Sequence, residues 1–202
     1  MIKNNFVFKN EYFYFEHLFE KDEVMSDIKK EFSIFRKSGK GLEFYLKANA
    51  PFEEKRNENR TYIVRDNVTD EIVGYFSLKA GLISLKEMVE LTVDGNKVSF
   101  ETFPGIELSA FAVNDRYLDK YRESKGYGTI IFGDFIIPFV KQIQKHIGVK
   151  VLYIFALPEH KLIETYESKY NFKRLDRVDE DKLHKRLKPR FDDGCVFMYQ
   201  LI

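Results

Sequence analysis

The chain has 202 residues, a length that suits one globular domain with a sizeable apolar core. Its 33 basic and 32 acidic residues leave a formal charge of +1, so no overall charge draws it to nucleic acid or to a membrane surface. Cys195 is the only cysteine and the four histidines lack metal-ligand spacing, which excludes an internal disulfide and gives no reason to expect a metal.

The N-terminal part is predicted to contain one strand and two helices. Residues 1–6 lack the apolar core of a signal peptide, and no apolar run is long enough to span a bilayer, so we expect a cytoplasmic protein. Aromatic density favours a strand over 11–19, and apolar residues at helical spacing predict a helix over 22–35. Glycines over 38–41 break that pattern. A second helix is predicted over 42–50, ended by Pro51.

The middle of the chain is predicted to form an antiparallel meander. Strands over 60–65 and 71–78 flank a turn, and strands over 89–93 and 97–103 flank Asp94-Gly95, a strong hairpin signal. A further strand is predicted over 106–113.

The C-terminal part alternates helices with strands. A long helix over 126–146 is followed by a buried strand over 150–157, and a helix from Pro158 to about Tyr170 precedes a strand that starts at Phe172. Residues 178–190 are charged and predicted to be irregular, and a last strand covers 196–201. This order predicts a mixed α/β or α+β sheet with a right-handed parallel crossover. Without repeats or linkers, we expect a single domain over 1–202.

The segment Lys125-Gly126-Tyr127-Gly128-Thr129 lies between a predicted strand and the long helix. Glycine permits a tight turn and close approach of a ligand, and the first N–H groups of a helix favour an anion. For Gly-x-Gly alone, a tight loop is the favoured interpretation. The Rossmann form fails at Ile131, and the P-loop form lacks its Gly-Lys-Ser/Thr.

The preceding strand, Glu107-Leu-Ser-Ala-Phe-Ala-Val113, and the glycine turn after it resemble the GNAT N-acetyltransferase superfamily. Val151 to Leu157 is similar to the fifth strand of that family, and the stretch from Thr165 to Phe172 is similar to its tyrosine-containing signature. The resemblance implies the GNAT fold: a mixed, mostly antiparallel central sheet with helices on both faces, here with an inserted β-hairpin over 89–103. The core that binds coenzyme A would cover about 104–172.

The resemblance implies acetyl-CoA as cosubstrate and no metal. The backbone of Phe111, Ala112 and Val113 would bond the pantetheine arm as an added strand does. The pyrophosphate would be held by the turn, whose residues are Ser124, Lys125, Gly126, Tyr127, Gly128 and Thr129.

The sequence departs from the family pattern at three places. Glu123 stands where glutamine or arginine is usual, and the loop over 114–125 is longer than is common. Asn171 replaces a glycine, and one extra residue leaves either Tyr166 or Tyr170 as the family tyrosine.

Direct attack of an amine on the thioester requires removal of the amine proton and protonation of the departing thiolate. Glu107 is the candidate base, since its position matches the base of the histone-acetyltransferase branch; a strand glutamate in a salt bridge is the alternative. Alternation places Glu107, Ser109, Phe111 and Val113 on one face. Tyr166 is the candidate acid by its match to the family tyrosine; packing on the sheet is the alternative.

The acceptor is predicted only as a primary amine, on a small molecule or a macromolecule. Residues 38–48, 60–64 and 72–78 resemble GNAT toxins that acetylate aminoacyl-tRNA, which makes tRNA an alternative partner. A non-catalytic acyl-CoA-binding module is a further alternative. The 89–103 hairpin leaves a homodimer open, and no membrane partner is expected.

Overall fold

A computed structural model of the protein describes residues 8–21, 23–92, 95–121, 126–187 and 194–202. Seven strands lie within these ranges: β1 (Phe13–His17), β2 (Arg60–Asp66), β3 (Ile72–Thr92), β4 (Gly95–Val113), β5 (Val151–Ala156), β6 (Lys173–Arg174) and β7 (Val196–Leu201). The α-helices are α1 (Val24–Glu31), α2 (Lys40–Phe44), α3 (Ala50–Lys55), α4 (Asp115–Lys120), α5 (Tyr127–Ile130), α6 (Ile137–Gln144), α7 (His160–Tyr170) and α8 (Arg177–Arg186).

The strands form one sheet in the order β1-β2-β3-β4-β5-β7-β6. The pairs β1–β2, β2–β3, β5–β7 and β6–β7 are antiparallel, and β4–β5 is parallel. The predicted mixed, mostly antiparallel sheet is therefore confirmed. So is the parallel step between the strands on either side of the long helix.

The contacts divide the chain into two compact units, each built from two stretches of sequence. Unit 1 comprises Met1–Lys79 and Leu108–Val140, and unit 2 comprises Ala80–Glu107 and Lys141–Ile202. The expectation of a single domain over 1–202 stays a prediction.

Helices cover both faces of the sheet in unit 1, as predicted. Ile63 and Tyr75 are fully buried on one face, in a cluster with Val24 and Ile28 of α1. On the other face the ring of Phe15 lies 5.8 Å from that of Phe135 and 5.3 Å from that of Phe139. Alternate strand residues thus serve opposite layers, which is why the strands are nearly continuous apolar runs.

Helix α1 is shorter than predicted, because side chains from a distant segment take its following N–H groups. Ser33 donates its backbone N–H to Asn114 Oδ1 at 3.0 Å, and Phe35 donates to Asp115 Oδ2 at 2.6 Å. The prediction of helix as far as residue 35 was wrong at this end, because tertiary acceptors replace the intrahelical ones.

The prediction that Pro51 ends a helix was also wrong, since α3 continues to Lys55. A π-helical segment, Tyr45–Asn49, immediately precedes α3, and Ala50 donates its N–H five residues back to the carbonyl of Tyr45. The long helix repeats this arrangement: the π segment Ile131–Ile136 precedes Pro138, and Ile137 donates to Phe132. Proline cannot make the usual bond and clashes with the carbonyl four residues earlier, so the widened turn lets the helix pass through it.

Unit 2 pairs β5 with β7 along their whole lengths, from Val151–Leu201 to Ala156–Val196. Tyr153 and Phe197 are buried here with Leu183, which lies on α8. Residues 178–190 were predicted to be irregular, yet α8 occupies 177–186. Asp176 caps this helix by accepting the N–H of Asp179 at 2.9 Å.

Candidate functional site

The end of β4 is held firmly in unit 1. The ladder between β4 and β5 consists of the pairs Gly105–Val151, Ile106–Leu152 and Glu107–Tyr153, and β4 continues to Val113. A Cβ on Gly74 would lie 2.7 Å from the carbonyl oxygen of Ala112, so the two backbones approach more closely than any side chain would allow. Phe111, Ala112 and Val113 are half-buried.

Asn114 fixes the residue that follows this strand. Its side chain is 2% exposed; its amide donates to the carbonyls of Glu31 (3.1 Å) and Ile72 (2.7 Å) and accepts from the N–H groups of Ser33 and Arg116. Every hydrogen-bonding position of the amide is therefore used within the protein. Asn114 therefore has a structural role, and the long loop after it contains α4.

The glycine turn opens the long helical run from Tyr127 to Gln144. Gly126 has φ +95°, and a Cβ at this position would meet no atom of the described residues within 4 Å. Its carbonyl accepts the N–H groups of Thr129 (2.8 Å) and Ile130 (3.0 Å). The first N–H groups of a helix have no acceptor within it and favour an anion, so this turn has both the space and the dipole for a phosphate.

Tyr127 contributes its backbone to the turn and its ring to the core. The ring lies 5.5 Å from that of Phe13 and 5.4 Å from that of Tyr117, in edge-to-face geometry, and the residue is 8% exposed. These contacts anchor the turn, whereas Gly126 and Thr129 are exposed and Gly128 is half-buried. Ser124 and Lys125 lie outside the described residues.

Glu107 is hydrogen-bonded to a buried tyrosine in unit 2. Tyr153 is 1% exposed and donates its hydroxyl to Glu107 Oε2 at 3.2 Å. Burial first, and then the charge of Glu107 and this hydrogen bond, raise the pKa of the Tyr153 hydroxyl well above its usual range. A Cβ on Gly81 would lie 2.1 Å from the hydroxyl oxygen, so glycine is required for Tyr153 to reach this position.

Tyr166 and Tyr170 are both buried on α7, with ring centroids 5.5 Å apart, and Tyr166 also lies 5.4 Å from Phe172. Burial, and secondly Tyr170, raise the pKa of the Tyr166 hydroxyl above its usual range, so it stays protonated at neutral pH. Asn171 ends the helix at φ +56°, the left-handed conformation in which a glycine is usual.

No protein-family model matches this sequence, and no curated protein does. Solved structures do match. A tyrosine-to-phenylalanine mutant of the AtaT toxin has a TM-score of 0.64 and 16% identity, covering 94% of this chain and 89% of the toxin. The structure of AtaTR bound with acetyl-CoA has a TM-score of 0.64 and 16% identity, and the match covers 95% of each chain. The structure of AtaT complexed with acetyl-methionyl-tRNAfMet has a TM-score of 0.61 and 17% identity, and the match covers 92% of this chain and 93% of AtaT.

The chain has the GNAT fold. Since more than nine tenths of this chain is covered, the GNAT likeness includes the N-terminal helices, which the sequence matched in placement rather than in motif. At sequence identities of 16–17%, this likeness concerns the fold alone.

Within the GNAT fold, the sequence identified the strand β4, the glycine turn and the helix α7 with its tyrosines. It did not identify several residues that contact the candidate site residues. Tyr153 gave a signal as the one hydroxyl in an otherwise apolar strand, while Gly81 gave none. Sequence reasoning also missed the buried polar residues Glu53 and Asn59, which are 4% and 2% exposed.

Other candidate sites are not supported where the structure can be described. The described residues contain no group of three potential metal ligands, and none of their helices is both long and apolar enough to cross a bilayer. Cys195 is buried, and His160 is exposed.

Proposed function

We propose that this protein is an acetyl-CoA-dependent N-acetyltransferase that moves the acetyl group to a primary amine by direct attack. The observation that carries the proposal is the turn at Gly126, a left-handed glycine at the start of a long helical run, where a Cβ would meet none of the described residues. The GNAT fold supports the proposal, as do relatives of that fold that were solved with acetyl-CoA.

In this proposal two backbone segments of unit 1 bind the cofactor. Phe111, Ala112 and Val113 bond the pantetheine arm along the last residues of β4, where Gly74 and Asn114 hold the backbone in place. The turn from Ser124 to Thr129 holds the pyrophosphate through backbone N–H groups. Both segments use the main chain, so the fold rather than individual side chains provides most of the recognition.

The chemistry then needs one proton acceptor and one donor. The amine nitrogen attacks the thioester carbonyl carbon, the new C–N bond forms, and the C–S bond breaks after the tetrahedral intermediate. Glu107 takes the amine proton, and Tyr166 gives its proton to the departing thiolate. The second role rests on the match of Tyr166 to the family tyrosine, because burial raises the pKa of its hydroxyl and thereby makes it a weaker acid.

A second acceptor is favoured by one specific observation. AtaT, which shares this fold, was solved in complex with acetyl-methionyl-tRNAfMet. We therefore also propose the amino group of an aminoacyl-tRNA as the acceptor. A protein partner comparable to the antitoxin AtaR, which was solved with AtaT, belongs to this version of the proposal.

Two measurements test the function. Acetyl-CoA should raise the melting temperature of the purified protein, because a ligand that binds only the folded state stabilises it. CoA release, followed with a thiol reagent, should then require an added amine such as methionyl-tRNA. A protein that binds acetyl-CoA and turns over no amine would be a binding module instead.

The role of Tyr166 is tested by comparison with its neighbour. Tyr166→Phe and Tyr170→Phe both keep the aromatic contact at 5.5 Å and each remove one buried hydroxyl. Loss of the general acid should lower kcat about 10²-fold or more with an unchanged KM for acetyl-CoA. We expect this for Tyr166→Phe only; the opposite result would assign the acid to Tyr170.

A further inference from the structure

A chain of polar side chains runs through the interior of unit 1 from α3 to β4. Asn59 donates its side-chain N–H to Glu53 Oε2 at 2.7 Å, and Ser109 donates its hydroxyl to Asn59 Oδ1 at 2.8 Å. Tyr45 also donates to Glu53 Oε2, at 3.1 Å. Tyr45, Glu53 and Asn59 are buried, while Ser109 is half-buried at the end of the chain.

The chemistry of these groups fixes the direction of every hydrogen bond. The Asn59 side chain turns its NH₂ group toward Glu53 and its oxygen toward Ser109. That oxygen only accepts, so Ser109 must donate. The second oxygen near Ser109 Oγ, the backbone carbonyl of Ser77 at 3.2 Å, is an acceptor too. The one proton of the hydroxyl is therefore committed inward, and among the described residues no donor bonds its lone pairs.

The position of Ser109 points to a donor for its lone pairs. Ser109 lies on β4, two residues before Phe111, and its Oγ lies against the side chain of Asn59. In the proposed function, Phe111–Val113 lies beside the pantetheine arm that carries the acetyl group. A hydroxyl whose proton is already committed, two residues before this segment, can accept a hydrogen bond from an N–H of an incoming amine.

We infer that Ser109 is a residue for positioning the acceptor amine: its Oγ accepts a hydrogen bond from the ammonium or amine of the acceptor. Glu53 and Asn59 are positioning residues that act through Ser109 by fixing its proton. This inference rests on the proposed acetyl transfer and adds the contact that orients the nucleophile.

The experiment compares four variants with the wild type, using methioninamide and methionyl-tRNA as amine probes. Ser109→Ala removes the acceptor, Ser109→Thr keeps a hydroxyl on the same strand, and Glu53→Gln removes the group that orients Asn59. Ser77→Ala is the matched control, because it deletes a buried strand hydroxyl whose partner, Thr61 Oγ1 at 2.8 Å, lies outside the chain to Ser109. Folding is checked for each variant by melting temperature with and without acetyl-CoA.

We expect Ser109→Ala to lower kcat/KM for the amine about tenfold or more, as the loss of one hydrogen bond to a charged group does. Its KM for acetyl-CoA should be unchanged. Ser109→Thr should retain most of the wild-type activity. Glu53→Gln should raise the KM for the amine and leave the KM for acetyl-CoA unchanged. Ser77→Ala should change melting temperature only.

The outcomes separate the two proposals. If Ser109→Ala turns over both amines as the wild type does, the positioning role is overturned and acetyl transfer stands. If Ser109→Ala and Ser77→Ala lower activity and melting temperature in parallel, the effect is one of stability and the role is likewise overturned. If the wild type binds acetyl-CoA but acetylates neither amine, the proposed function fails and the inference fails with it.

Discussion

Replacing Gly126 by alanine perturbs the proposed cofactor turn with a single methyl group. Two effects are expected from two different features of the residue. Its φ of +95° is unfavourable for any L-residue, and the open space beside it is where a phosphate would approach the backbone. The first effect acts on stability and the second on binding.

The size of the stability effect follows from the backbone alone. Forcing an L-residue into a left-handed conformation costs roughly 1–2 kcal/mol, and the new Cβ clashes with none of the described residues, since none lies within 4 Å. For a chain of this length, each kcal/mol lowers the melting temperature by roughly 2–4 °C, so a decrease of about 2–8 °C is expected.

Gly133→Ala is the matched control. A Cβ there also meets nothing within 4 Å, but Gly133 lies within the helical run and has no positive φ. Alanine in a helix is favoured over glycine by about 0.5–1 kcal/mol, so this variant should be as stable as the wild type or slightly more stable. The two variants add the same Cβ atom and differ in the backbone conformation of the substituted residue.

Binding is measured by titration calorimetry with acetyl-CoA. The methyl group on residue 126 should weaken affinity at least tenfold, about 1.4 kcal/mol, while Gly133→Ala should bind as the wild type does. Equal affinity of Gly126→Ala and the wild type would refute the assignment of the turn to the pyrophosphate, even if the stability change were as expected.

Three further predictions concern stability. Gly81→Ala should destabilise the protein by about 1–3 kcal/mol in urea denaturation, through collision with the Tyr153 hydroxyl 2.1 Å away, and less so in a Tyr153→Phe background. The carboxylate of Glu43 accepts hydrogen bonds from two lysines and a backbone N–H, which hold its pKa at about 2 against the opposing effect of burial. The stability that these bonds give the folded protein is therefore complete above pH 4.5 and is lost as the pH falls toward 2. The free energy of unfolding of Glu43→Gln should depend less on pH in that window than that of the wild type. An equal dependence would exclude this contribution of Glu43 to stability. Asn114→Ala should cost about 2–4 kcal/mol because it leaves buried backbone groups unbonded, whereas Asn114→Asp should retain the accepted bonds and unfold at a higher urea concentration than the alanine variant.

Elements with local signals were predictable. The strand over 196–201 matches β7, and the glycine turn marked the start of the long helix, because apolar periodicity and glycine act within a few residues. The sequence order of strand, turn, helix and strand was enough to identify the GNAT fold.

Features set by distant residues were not predictable. Helix α1 ends where it does because Asn114 and Asp115, some eighty residues away, take its N–H groups. Helix α8 has few apolar residues, so its periodicity is weak; its N-cap, Asp176, was the available signal. The polar chain through Asn59 needed the folding of three separate segments to become visible.

The π segments that precede Pro51 and Pro138 have a consequence for how this sequence can change. A π segment corresponds to one residue inserted into an α-helix. Deleting one residue between Tyr45 and Asn49 would restore α-helical bonding and return the Pro51 ring to a clash with the carbonyl four residues earlier. The inserted residue and the proline therefore depend on each other, and we expect a deletion such as that of Ala48 to be tolerated only together with Pro51→Ala. Each helix carries a pair of features that must be gained or lost together.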